Sequence, residues 1–431
     1  MRQHTDDEQH VTTGSPRGAG TGVSAALRRS TRAFASLEDP RFPWWFVSQV
    51  LASSGNLTQI VAMSWLVLQL THRAVALGLV STATLLPILL GGAWAGSLVD
   101  RFDRRRIMIV TQSIFIVSNG LLALLTATGQ IEFPMILALG FLTGAVASID
   151  GPARQVFVLD LVGTERLASA VSLYEVVLNV ARVIGPSVGG LLLGLFGPAA
   201  CFGVNAATYV VPLIVLLSLR PARAIVGTPA ATAPSTSVRD GLAYAFGVPA
   251  IRACLLLAAA GGMLFNQGLL YPLLSTQVFH LSGGAYGLLM AAFGVGAIPG
   301  AVAAAGTRGE PSGRLVAVLA ALTGVLMLPV GLAPDFTIAF AATVILGFAS
   351  IWFIAAANTL VQLTAEPAMR GRVMGLWTVA LPGTGLVTAL LVGALADAAG
   401  VRIAFVAVGI AIVATAAYGS GALFRHAPAT A

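Results

Sequence analysis

The sequence predicts an all-α membrane protein with about twelve transmembrane helices in two six-helix sets. Three observations lead there. Only 10% of the 431 residues are charged, against about 25% in a soluble globular domain. A mean hydropathy of +0.88 means that water is not the solvent for most of the surface. The arginines, finally, alternate with the apolar runs along the chain in a regular way.

A spanning helix needs about 20 mainly apolar residues. Runs of that kind fall at 43–70, 76–99, 106–127, 133–153, 167–196 and 198–219, and again at 251–276, 284–306, 314–333, 336–359, 373–397 and 402–424. The chain therefore divides into a tail (1–42), a first half (43–219), a linker (220–250), a second half (251–425) and a short C-terminal tail (426–431). The N-terminal tail is rich in Ser, Thr, Gly and charge and reads as disordered. Arg28-Arg29-Ser30 loosely resembles a twin-Arg signal, but the apolar run that follows is too long for a cleavable signal.

All 24 basic residues are Arg, and 21 of them lie in the two tails and the loops after spans 2, 4, 6, 8 and 10. Only Arg73 and Arg402 lie in the opposite loops, and Arg182 lies within a span. Cytoplasmic loops carry the excess of positive charge, so both termini are expected in the cytoplasm of a bacterial inner-membrane protein. The same placement explains the high pI without nucleic-acid binding. A soluble enzyme is excluded by composition. Cys201 and Cys254 lie in apolar runs and read as small hydrophobes. His4, His10, His72, His280 and His426 lie outside the spans. No cofactor, metal cluster or catalytic constellation is expected.

Glycine (48) and proline (21) sit largely inside the spans, where small residues let helix backbones approach; Gly296-x-x-x-Gly300 is one such pair. Leu139-Gly140-Phe141 in span 4 corresponds to Leu346-Gly347-Phe348 in span 10, with Gln155 and Gln362 at the same offset, as duplication would leave. In the linker, Ser237 to Asp240 has capping-box spacing ahead of Leu242, Tyr244, Ala245 and Phe246. A short amphipathic surface helix is one reading, an unstructured linker the other.

The loop after span 2 reads Gly96-Ser-Leu-Val-Asp100-Arg101-Phe-Asp103-Arg104-Arg105-Arg106. It resembles the signature loop of the major facilitator superfamily, with Asp103 where Gly is usual, so that the turn is tighter or differently hydrogen-bonded. The resemblance implies that Asp100 latches a cytoplasmic gate, facing the start of span 11 near Val373 and approaching Arg154. The alternative is that Arg104 to Arg106 only follow the charge rule.

In span 5, Gly185-Pro186-x-x-Gly189-Gly190 is similar to the antiporter motif of drug exporters in that superfamily. Proline removes a backbone donor and glycines flatten a helix face, which suits a gate or simple close packing. Gly151-Pro152-Ala153-Arg154-Gln155, Asp160-Leu161-Val162, Glu165-Arg166-Leu167, Asn179-Val-Ala-Arg182 and Phe196-Gly197-Pro198 resemble the transmembrane secretion effector family, which includes enterobactin-exporter-like and macrolide-efflux-like proteins. Asn56 stands where that family often has an acid.

Glu175, Asn179 and Arg182 share one helix face by their spacing. An ionisable group at bilayer depth costs about 2.5 kcal/mol or more and usually faces a cavity or a partner. Glu175 is therefore either a protonation or cation-substrate site modulated by Arg182, or part of a fixed network. Gln59, Asn266, Gln267, Trp352 and Asn358 are candidates to line a cavity, or to bond across helices. The resulting expectation is a monomeric, proton-coupled exporter of an amphiphilic small molecule. An uncoupled facilitator or importer, and a scaffold that no longer transports, remain the alternatives.

Overall fold

The computed structural model describes residues 35–163, 166–219, 238–263, 267–306, 311–366 and 369–425. Several helix side chains lie outside that description, among them those of Gly96, Asp100, Glu175, Asn179, Arg182 and Gln267.

The bilayer leaves a chain no water to satisfy backbone N–H and C=O groups, so each apolar run closes its own hydrogen bonds as a helix. The first half comprises α1 (Phe42–Thr71), α2 (Ala74–Arg101), α3 (Arg104–Ala127), α4 (Phe133–Val162), α5 (Leu167–Phe196) and α6 (Pro198–Ser218). A short α7 (Val238–Gly247) precedes the second half: α8 (Pro249–Gly262), α9 (Gln267–Leu273), α10 (Gly283–Gly306), α11 (Gly313–Leu332), α12 (Phe336–Thr364), α13 (Arg370–Ala399) and α14 (Val401–Arg425). Connections are short and use local chemistry. His72 takes a left-handed φ of 52° after α1, and Gly197 a φ of 78° between α5 and α6. Ser312 and Asp335 cap α11 and α12 by accepting from Leu315 N and Ile338 N at 3.2 and 3.0 Å. The outward faces carry side chains such as Leu90, Val117, Leu195 and Leu391, all more than 60% exposed, as a lipid-facing surface requires.

Among the described residues, nine helices are long and apolar enough to cross a membrane. Two others, α5 and α13, are each 30 residues long. Within the expected run at 251–276, α8 ends at Gly262, residues 264–266 lie outside the described residues, α9 begins at Gln267, and a π turn follows at Leu274–Val278. Gly261-Gly262 gives the helix little side-chain support there, and Pro272 cannot donate to the ladder. At the Arg-rich end, α4 and α12 run on to Val162 and Thr364, beyond the apolar limits at 153 and 359. Helix continues there because water and charge do not stop it.

Part of the tail expected to be disordered is folded. Ala35–Glu38 forms a 3₁₀ turn, and buried Ser36 pairs with Ser169 Oγ at 2.9 Å. Arg41 binds Asp39 at 2.8 Å and donates to Leu161 O at 3.2 Å, which ties the segment to the end of α4. The Arg41 hydrogen bond holds the Asp39 carboxyl below its ordinary value. The clip is therefore present at neutral pH and is lost as pH falls through that lowered range. In the linker, α7 exposes Leu242 and Phe246 and buries Ala245; the side chains of Ser237 to Asp240 lie outside the described residues.

The two halves repeat each other's packing. Helix α2 packs on α4 and α3 on α6; α10 packs on α12 and α11 on α14 in the same order. Glycine makes these approaches possible. A Cβ at Gly296 or Gly300 would collide with the carbonyl oxygens of Val344 and Phe348, and one at Gly347 with that of Phe293. In the first half, a Cβ at Gly144 of α4 would collide with the carbonyl oxygen of Thr84 on α2, and one at Gly140 would lie 3.2 Å from the Thr84 hydroxyl. Gly140 and Gly347, matched by sequence, thus both lie on the helix face that meets α2 in the first half and α10 in the second.

Between the halves run two seams, α2 on α13 and α5 on α10. Each converts into the other under the repeat. At the Arg-poor end both seams bring backbones together. A Cβ at Gly78 would lie 2.9 Å from Ala389 O, one at Gly393 would lie 3.0 Å from Ala74 O, and Gly190 faces Gly287 with no room for a Cβ on either.

Candidate functional site

The signature loop opens with Arg101, which is exposed. Asp103, the departure from the usual glycine, then caps α3 by accepting from Arg106 N at 3.1 Å. A glycine at this position would have no side chain to make that bond. An N-cap is worth about 1 kcal/mol, so Asp103→Ala should lower the thermal midpoint of the purified protein by a few degrees without changing transport direction.

The next two arginines have tertiary partners beyond the charge rule. Arg104 reaches Asp160 near the end of α4 at 2.9 and 3.1 Å. Arg105 donates to the last carbonyls of α6, Leu216 O at 2.7 Å and Leu217 O at 3.0 Å. A cation over a helix C-terminus is favoured by the helix dipole. One loop thereby braces the ends of α3, α4 and α6 into a unit.

Deeper in the same unit lies an acid that the sequence reading passed over. Asp150 of α4 is only 2% exposed. It accepts from Thr111 Oγ1 at 2.6 Å and Gln112 Nε2 at 3.1 Å, both on α3, and pairs with Arg154 one turn along its own helix. Such a carboxylate is satisfied on both oxygens, which is what makes a buried charge tolerable. Arg154 is thus engaged by Asp150. Its Nε is buried with no partner among the described residues. Asp100, expected to approach it, has its side chain outside them. The signal in the sequence was available: Asp150 and Arg154 at helical spacing, with Thr111 and Gln112 adjacent in span 3.

In α5 the glycine motif serves two neighbours. Gly185 and Gly189 press on α1, against Ser54, Leu57, Thr58 and Val61, and Thr58 Oγ1 donates to Gly185 O at 2.9 Å. Gly190 instead meets Gly287 of the other half. Pro186 lies buried between them, and the donor it lacks leaves α5 free to bend there. The motif is therefore a packing face on one side and a seam on the other. Glu175, Asn179 and Arg182 lie on the same helix, with side chains outside the described residues.

Three of the cavity candidates, Gln59, Trp352 and Asn358, lie among the described residues, and each has its own surroundings. Gln59 Oε1 accepts from buried Asn205 at 2.6 Å, and Asn205 also donates to Asn119 Oδ1 at 3.1 Å, so Gln59 belongs to a bridge joining α1, α3 and α6. Asn358 accepts from Gln362 on its own helix at 2.6 Å. Trp352 packs edge-on to Phe348, centroids 5.5 Å apart, and its indole N–H is buried without a partner among the described residues. Asn266 and the side chain of Gln267 lie outside them. No group of three or more potential metal ligands occurs among the described residues.

This architecture matches known proteins along nearly its whole length. A bacterial homologue of the human lysosomal transporter Spinster, in an inward-facing and occupied conformation, superposes with a TM-score of 0.70 at 18% identity, covering 89% of this chain and 96% of that one. The nucleoside transporter NupG does so with a TM-score of 0.72 at 12% identity, covering 90% and 100%. These likenesses show the major facilitator fold. In sequence, the multidrug efflux pump Tap of Mycolicibacterium fortuitum is 27% identical over 83% of this chain and 90% of its own length. The enterobactin exporter EntS of Citrobacter koseri is 29% identical over 77% and 80%. The staphyloferrin A transporter of Staphylococcus aureus is 31% identical over 41% and 45%. The sequence profile described as transmembrane secretion effector matches residues 31–429. The chain is a member of the transmembrane secretion effector family of major facilitator transporters.

Proposed function

We propose that this protein exports an amphiphilic small molecule across a bacterial inner membrane by alternating access, coupled to proton entry, with its Arg-rich end in the cytoplasm. The observation that carries the reading is the pair of glycine seams between two internally braced halves. Braces within a half and smooth contacts between halves are what rigid-body rocking needs. The substrate class follows relatives named as a multidrug efflux pump and as an enterobactin exporter. The membrane potential supplies about 2.3 kcal/mol per charge per 100 mV, enough for one proton's charge to sustain a concentration gradient without nucleotide hydrolysis.

The test is accumulation of a dye or macrolide in efflux-deficient cells expressing the protein, with and without an uncoupler. Reduced accumulation that the uncoupler restores is the expected result. Reduction that the uncoupler leaves untouched means an uncoupled facilitator. Glu175→Gln is expected to abolish coupled export while the purified protein keeps its size and helicity; normal export by that variant would remove Glu175 from the coupling role.

A further inference from the structure

Asp397 occupies a place that its own helix does not favour. It lies two residues before the end of α13 at Ala399, where a negative charge opposes the helix dipole. Its carboxylate instead crosses to the other half of the protein. One oxygen accepts from Ala74 N at 2.7 Å and the other from Val75 N at 2.9 Å, a bridge between residues 323 and 322 positions apart. These are the first two N–H groups of α2, donors that lack intrahelical partners. The residue before them, Arg73, makes no side-chain cap. Helix α2 is therefore N-capped by a residue of the opposite half.

The cap is made only when the seam is shut. Gly393, one turn before Asp397, and Gly78, one turn into α2, hold the two backbones in contact immediately beneath it. Charge-assisted hydrogen bonds require donor and acceptor within about 3 Å, so a separation of a few ångströms breaks both at once. Asp397 is exposed, and when the halves part its carboxylate and the two N–H groups at the Arg-poor end pass to water.

We propose that Asp397 is a gate-positioning residue: its carboxylate, capping α2 across the α2–α13 seam, biases the transporter toward the state closed at the Arg-poor, outer face. This inference rests on the alternating-access reading above.

The test uses the full chain in lipid nanodiscs, with buried Cys201 and Cys254 replaced by Ala. Spin labels are placed at Gln130→Cys and Pro334→Cys, exposed positions on Arg-poor loops of the two halves, and their separation is measured by pulsed electron resonance. Asp397→Ala is expected to raise the ratio of long to short distances about tenfold, the scale of losing charge-assisted bonds. Asp397→Asn, which keeps one acceptor and loses the charge, should fall between it and the parent. Asp103→Ala removes a cap within one half and should leave the distribution as in the parent.

A parent-like distribution in Asp397→Ala, with the protein eluting as the parent does, overturns the proposal. If Gly190→Leu widens the same pair while Asp397→Ala does not, the latch fails and alternating access stands. If neither widens it, the halves are fixed together and both readings fail.

Discussion

Replacing Asp150 by Asn should destabilise the protein by about 3–5 kcal/mol, the usual consequence of removing one partner of a buried ion pair. Asn can still accept from Thr111 and Gln112 (2.6 and 3.1 Å in the parent), so the loss isolates the charge left on Arg154. Adding Arg154→Gln should recover much of it, because the double variant buries no unpaired charge; a double-mutant cycle measures the coupling. Thermal or denaturant unfolding of the purified protein provides the readout. Parent-like stability in Asp150→Asn would remove the structural role. If that variant is stable and export is abolished, Asp150 takes the coupling role proposed for Glu175.

Gly190→Leu should cut export by more than about tenfold while leaving the protein folded. Gly190 faces Gly287 across the α5–α10 seam, and even a Cβ there collides with backbone. Collisions with backbone are not relieved by rotamer changes. The packing of α5 within its own half runs through Gly185 and Gly189, so the substitution strikes the seam and spares the brace. Gly190→Ala should show the same defect in smaller measure. Dye accumulation in cells reads the first effect, and elution of the purified variant reads the second. Export at the parent level by Gly190→Leu would mean that the seam need not close during transport.

The repeated packing gives these two predictions different characters. Asp150 acts inside one half, where α3 and α4 are held by direct polar bonds, and its loss is felt as stability. Gly190 acts between halves, where contact depends on the absence of side chains, and its loss is felt as a shifted conformational equilibrium.

Much of this was legible in the sequence because the bilayer enforces it. A hydrocarbon solvent converts each long apolar run into a helix, so the element order, the division into halves and the Arg-rich and Arg-poor ends follow from hydropathy and arginine positions alone. Local rules reached further: Gly296 and Gly300 mark a close helix pair, Asp103 marks a helix start, and the 185–190 motif marks a flattened helix face. Those rules depend on neighbours within a few residues, which sequence displays directly.

What sequence could not settle was decided by partners far along the chain. Gln59 reads as a cavity residue or as a bond across helices, and its partner is named only when Asn205, 146 positions away, is seen to bond it. Arg105 reads as one charge in a basic cluster until α6 presents its terminal carbonyls. Asp397, which no local pattern marks, has a partner only because packing brings the start of α2 within 2.7 Å. The hydrophobic pattern dictates that helices form and cross the membrane, but it is nearly the same on every side of them. Which helix meets which, and so which polar groups find one another, is set by close packing of small residues in three dimensions.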